Sequence, residues 1–130
     1  MKKIVNFSGG RSSGLMVNWL QKNQPDEYIY IFSNTSKETK ETYEFIEKCD
    51  KHFKMNLIVL EWDEKGFKET NIKECKKEGE IFEKIINKKK ILPNVAWRYC
   101  TETMKIIPTK RYLKSKGIKK YINYLGIRYD

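Results

Sequence analysis

A chain of 130 residues, with 39% hydrophobic and 34% charged residues, has the size and composition of one folded domain. Three Trp, eight Tyr and six Phe exclude a chain too polar to collapse. No apolar run approaches the roughly 18 residues of a membrane helix, so a cytoplasmic protein without a membrane partner is expected. Net charge is +10 and unevenly placed: residues 1–61 hold nine basic and eight acidic residues, residues 62–120 hold seventeen and eight. Such a bias concentrates anionic partners, and by itself it admits nucleotides, nucleic acid or an acidic protein.

Residues 2–7 (KKIVNF) form a β-rich run that ends at Ser8-Gly9-Gly10, and Leu15, Met16, Trp19 and Leu20 then recur at helical spacing. Pro25 and Asp26 break that pattern before a second strand-like run, residues 28–33 (YIYIFS), closed by Asn34 and Thr35. Tyr43, Phe45, Ile46 and Phe53, set in a Glu/Lys-rich segment, predict a second helix, and residues 56–61 (NLIVLE) a third strand. Strands separated by helical segments specify parallel pairing, because parallel strands need a crossover of a dozen or more residues.

Residues 62–100, with Lys88 to Lys90 and Pro93, read as an irregular basic insertion within a single domain spanning residues 1–130. Residues 103–115 read as a helix with Pro108 near its start or at a kink, stopped by Gly117, and residues 119–126 as a last strand. The expected fold class is therefore α/β: a three-layer α/β/α domain with a mainly parallel sheet of about five strands.

Phe7-Ser8-Gly9-Gly10-Arg11-Ser12-Ser13 lies between a strand and a helix. Glycines there let the backbone turn sharply, and the free N–H groups at a helix start, with the helix dipole behind them, favour an anion. An ordinary Gly-Gly turn has the same composition, but the strand-loop-helix context is the one a phosphate cradle requires. Neither G-x-x-x-x-G-K-[ST] nor G-x-G-x-x-G is present.

The segment resembles the S-G-G-x-D-S pyrophosphate loop (PP-loop) of the ATP pyrophosphatase, or adenine nucleotide alpha hydrolase-like, superfamily, and in particular its phosphoadenosine phosphosulfate (PAPS) reductase-like branch. Three further elements follow in the family's order. Asn34-Thr35-Ser36-Lys37-Glu38, followed by Glu41-Thr42 and Phe45, is similar to its Asn/Asp-Thr-Gly element. Arg98-Tyr99-Cys100-Thr101 with Lys105 and Pro108 is similar to its Arg/Pro, Cys, Lys and Pro pattern, and Gly126-Ile127-Arg128 to its G-x-R element. Together they cover nearly the whole chain.

The resemblance implies a Rossmann-like PP-loop domain holding ATP or another adenine nucleotide. Its phosphates would lie on Ser8, Gly9, Gly10, Arg11, Ser12 and Ser13, and its adenosine near Asn34, Thr35, Gly126 and Ile127, with Arg98, Lys105 and Arg128 converging on phosphate or sulfate. The implied reaction is attack at the α-phosphate of ATP, adenylating a second substrate. Two departures bear on this. Ser12 replaces the loop aspartate, so the carboxylate that in the family lies near metal or phosphates is missing; no metal ligand is assigned and Mg2+-dependent chemistry loses support. The chain stops two residues after Arg128, so the reductases' C-terminal catalytic cysteine has no counterpart, and a completing partner chain or a homo-oligomer is a further expectation. A non-catalytic nucleotide binder or sequestering protein, and a component of tRNA or DNA sulfur modification, remain open beside the enzyme.

Cys49, Cys75 and Cys100 form no C-x-x-C pair and have only His52 to join them, which predicts free thiols and no zinc site. Cys100 has no adjacent base and is left out of catalysis. His52 reads as a helix-end residue, and Trp19 and Trp62 as core or interface residues. Trp97, beside Arg98, is the one tryptophan placed to stack on a base.

Overall fold

The computed structural model describes residues 1–36, 38–63, 66–81, 83 and 106–125. Five strands form one sheet in the order β4-β3-β2-β1-β5. They are β1 (Lys2–Asn6), β2 (Tyr28–Asn34), β3 (Ile58–Asp63), β4 (Gly66–Thr70) and β5 (Tyr121–Leu125). Strands β3, β2, β1 and β5 are parallel, and β4 returns antiparallel along β3. Helix α1 (Arg11–Asn23) follows β1 and helix α2 (Lys40–Phe53) follows β2. Residues 106–115 form a third helix, α3, ahead of β5.

The central strands are apolar on both sides because both sides are covered. Along β1 and β2, Val5, Phe7 and Phe32 point into one core with Val17 and Leu20 of α1 and Ile46 of α2. Ile4 and Ile31 point the other way, into a second core with Leu60 of β3 and Tyr112 and Leu113 of α3. Helices therefore cover both faces of a mostly parallel sheet, the three-layer arrangement expected.

Two local differences from the expectation have physical causes. Strand β3 begins at Ile58 rather than at residue 56, because Lys54 and Asn56 both adopt left-handed backbone (φ +52°) and the carboxylate of Asp50 accepts the Leu57 amide at 3.0 Å. Within the expected irregular insertion, residues 66–70 form a regular edge strand, with Phe67 opposite Trp62 and Thr70 opposite Val59. Phe67 also meets Tyr112 edge-on, with ring centroids 5.7 Å apart, which ties the new strand to α3.

The strand order fixes where a ligand can sit. From β1 the chain moves outward through β2, β3 and β4, then crosses back to place β5 on the other side of β1. The connections on the two sides of β1 therefore run in opposite directions, and the C-terminal end of β1 is the switch point at which open α/β sheets hold ligands. The turn after β1 lies at that point.

Leu113 is 1% exposed and holds α3 against Ile4, Ile31 and Leu60. Leu113→Ala is expected to destabilise the domain by about 2–5 kcal/mol through the cavity left beneath the helix, read from the denaturant midpoint at unchanged m-value; an unshifted midpoint would remove α3 from the core.

Candidate functional site: the turn after the first strand

The path from β1 into α1 is set by Gly9 and by two serine hydroxyls. Gly9 has φ +84°, and a Cβ there would lie 2.9 Å from Ile46 Cδ1 and 3.0 Å from Thr42 Cγ2, so both backbone and space demand glycine. Ser13 is fully buried; its Oγ accepts the Ser8 amide at 3.1 Å and lies 2.6 Å from Ser8 Oγ. These bonds clamp the turn from within, and Ser8 Oγ makes a long 3.5 Å contact with the Gly10 amide.

The start of α1 is left open. Its N-cap is Gly10, which offers no side chain, and its first turn carries no acidic residue. The first intrahelical bond runs from the Gly14 amide to the Gly10 carbonyl. Among the described residues no protein atom accepts from the amides of Arg11, Ser12 or Ser13. Helix α2 shows the closed alternative: the Thr39 hydroxyl accepts the Thr42 amide at 3.2 Å and Glu41 lies in the first turn. Gly10 has no steric need to be glycine, since the nearest atom to an added Cβ is Ser8 Oγ at 3.7 Å. It leaves room above three unpartnered amides, and the exposed Arg11 stands beside them.

Asn34 and Thr35 end β2 at the same edge of the sheet, but Asn34 is not open to a ligand. It is fully buried, with both its amide donors and its acceptor engaged. Nδ2 donates to Glu61 Oε2 at 3.0 Å and to the Lys76 carbonyl at 2.7 Å, and Oδ1 accepts from the Tyr43 hydroxyl at 2.8 Å and the Ser36 amide at 3.0 Å. Its side chain serves as scaffolding for this edge of the sheet. Glu61, 3% exposed, also accepts the Lys76 amide at 2.8 Å, and burial pushes the Tyr43 phenol well above its usual pKa. Thr35 Oγ1 donates to Glu38 at 3.3 Å. Ser36 adopts φ +64°, the conformation that favours glycine at this place, and is held there by bonds to its hydroxyl from the Ile81 amide at 3.0 Å and to its carbonyl from the Gly79 amide at 2.8 Å. The network binds the segment after β4 across the ends of β2 and β3.

A cleft of about 510 Å³ adjoins the turn, between the sheet and α3, lined by Asn6, Ser8, Ser33, Thr109, Lys110 and Asn123 among others. Its walls are mainly apolar with a few polar groups, the usual make-up of a small-molecule site. Ser33 and Thr109 hydroxyls meet at 3.0 Å. Asn6 Nδ2 donates to Asn123 Oδ1, which leaves the pair with an amide oxygen as acceptor and an amide nitrogen as donor beside the cleft. Sequence reasoning missed this pair. The available signal was a polar residue, Asn6, in phase with the buried Ile4 on a strand covered on both faces.

Arg98, Lys105, Gly126, Ile127 and Arg128 lie outside the described residues, as do Cys100, Trp97 and the Lys88 to Lys90 run. Cys49 and Cys75 are buried free thiols whose pKa values are raised by burial. Among the described residues no group of three His, Cys, Asp or Glu side chains could hold a metal ion, and no helix is long and apolar enough to cross a membrane.

The model of the phosphoadenosine phosphosulfate reductase domain matches residues 2–130. The chain is 29% identical, over all of its length, to the uncharacterized nin region protein ORF290 of Escherichia phage lambda, of which it covers 49%. It is 32% identical over 85% of its length to an uncharacterized protein of Methanocaldococcus jannaschii and 25% identical over 96% to another, covering 22% of each. The chain thus spans half or less of the curated relatives it matches.

The two glycines of the turn are expected to separate in a thermal or denaturant melt. Gly9→Ala loses about 1–3 kcal/mol from left-handed strain and collision with Ile46, whereas Gly10→Ala changes stability by less than about 1 kcal/mol. Equal losses would mean that Gly10, too, is fixed by the protein's own packing.

Proposed function

Because the chain belongs to the phosphoadenosine phosphosulfate reductase domain family, within the PP-loop, adenine nucleotide alpha hydrolase-like superfamily, we propose that it binds an adenine nucleotide, with phosphates on residues 8–13 and the base in the cleft beside Asn6 and Asn123. The observation that carries this reading is the uncapped first turn of α1, whose Arg11, Ser12 and Ser13 amides have no protein partner among the described residues while the equivalent turn of α2 is capped. Three N–H groups on a helix dipole, with an arginine beside them, complement a phosphate. The free acceptor and donor of the Asn6–Asn123 pair complement adenine, which offers an amino donor next to a ring-nitrogen acceptor; the corresponding edge of guanine offers two acceptors.

With ATP bound, an oxygen of a second substrate would attack the α-phosphorus as the bond to the bridging oxygen breaks, leaving an adenylated product and pyrophosphate. The chain's own part is to hold the phosphates and offset their growing charge through the turn amides and Arg11. Magnesium fits the turn poorly: a hard cation takes oxygen ligands, commonly carboxylates, and Ser12 and the rest of the first turn supply none. That same absence favours a second reading, a nucleotide binder without turnover. Pyrophosphate release from ATP distinguishes the two.

A thermal-shift panel tests the binding itself. Adenine nucleotides at a hundredfold excess over Kd are expected to stabilise the protein by about 2.7 kcal/mol, and Gly10→Asp, which sets a carboxylate above the open amides, is expected to abolish that gain. Stabilisation that persists in Gly10→Asp would move the phosphates elsewhere. Asn123→Ala is expected to cut the preference for adenine over guanine nucleotides about tenfold, at the lower end of the about 1–3 kcal/mol that a bidentate pair discriminates; an unchanged preference would remove the asparagine pair from base recognition.

A further inference from the structure

The cleft and the largest uncompensated charge among the described residues share a helix. Residues 106–125 contain Lys110, Arg111, Lys114, Lys116, Lys119 and Lys120 and no Asp or Glu. All six basic residues are exposed, and the ion pairs found among the described residues, Lys3–Asp26 and Lys51–Glu47, involve none of them. Helix geometry orders the first three. Pro108, Thr109, Tyr112 and Leu113 are buried, so at 100° per residue Lys110, Arg111 and Lys114 fall together on the outward face. Lys116 leans over the Tyr112 ring at 5.7 Å, and Lys119 and Lys120 continue the run to the start of β5. The field of Glu69 on β4 reaches Tyr112, but Glu69 forms no ion pair among the described residues.

Lys110 belongs to both features: it lines the cleft and begins the outward row. We infer that the outer face of α3 and the turn after it are a docking track for a nucleic-acid strand, which Lys110 leads to the mouth of the nucleotide cleft. Five of the six groups are lysines, point charges suited to phosphate contacts that position a backbone without reading sequence. Ten helical residues span about 15 Å, room for about four phosphates at ~3.4 Å per nucleotide. A lipid surface suits the face less well: peripheral helices bury a continuous apolar side in the bilayer, whereas Tyr112 and Leu113 of α3 are held by the sheet and the exposed Ile106 and Ile107 are confined to its first turn. The track deepens the nucleotide-binding reading, since it makes the second substrate a nucleic acid, but its charge stands independently of the turn after β1.

The test is binding of labelled mixed-sequence oligonucleotides, single-stranded and duplex, by the full chain across a salt series, with phosphatidylserine vesicles in parallel. Lys114→Gln/Lys119→Gln/Lys120→Gln removes three charges that do not line the cleft. The track predicts oligonucleotide binding that weakens with salt, a slope of log affinity on log salt smaller by about 2–3 in the triple variant, and an unchanged melting temperature and nucleotide-dependent stabilisation. Gly10→Asp should retain oligonucleotide binding even where it loses the nucleotide, so failure of the track and failure of the nucleotide site give different results. No oligonucleotide binding by the unmodified chain, an unchanged salt slope in the triple variant, or binding to vesicles in place of oligonucleotides would overturn the inference.

Discussion

The contact between Gly9 and the Ile46 and Thr42 side chains governs the geometry of the site. A left-handed residue pressed onto α2 forces the chain to turn immediately after β1, and the buried Ser13 hydroxyl, bonded to Ser8, holds the turn closed on its inner side. What remains on the outer side is a helix start whose Arg11, Ser12 and Ser13 amides have no partner among the described residues, beside the cleft between the sheet and α3. Helix starts normally have side chains or water to satisfy these groups. Here Gly10 withholds the side chain that α2 supplies through Thr39. Stability and ligand space are thus divided between adjacent glycines, one required by the fold and the other leaving an opening.

A second buried arrangement supports the first from the neighbouring strand. Asn34, Glu61, Tyr43 and the backbone of Lys76 form a closed set of hydrogen bonds below the surface, and Ser36 is kept in a left-handed conformation by amides from residues 79 and 81. A buried polar network with its members engaged holds one arrangement, because a lost partner would leave a desolvated group behind. The ends of β2 and β3 are thereby fixed without using the polar groups that line the cleft. Those left available, Arg11, Asn6, Asn123 and Lys110, carry the affinity and direction proposed for the nucleotide and the strand.

The sequence disclosed the parts of this plan that depend on short-range pattern. The strand-glycine-helix junction at residues 2–20 was legible because its periodicity changes abruptly at Ser8, and the resemblance to the PP-loop superfamily drew on the same residues. Strand β4 was hidden because Gly66–Thr70 offers one large apolar residue among charged ones, as short edge strands often do. Asn34 read as a ligand contact because its position at a strand end is local information, whereas its partners Glu61 and Lys76 are 27 and 42 residues away. The asparagine pair escaped for the same reason, since Asn6 and Asn123 are separated by 117 positions. The basic excess of the second half was visible in composition, but only the buried side of α3 shows that three of its charges share an outward face.

The central claim is that the Arg11, Ser12 and Ser13 amides receive a phosphate. Titration of 15N-labelled protein with AMP, followed by amide NMR, addresses those groups individually. The account predicts the largest shifts at Arg11, Ser12 and Ser13, smaller ones at the Asn6 and Asn123 side-chain amides, and little change at the capped first turn of α2. Saturable AMP binding that leaves the Arg11, Ser12 and Ser13 amides unmoved would contradict it.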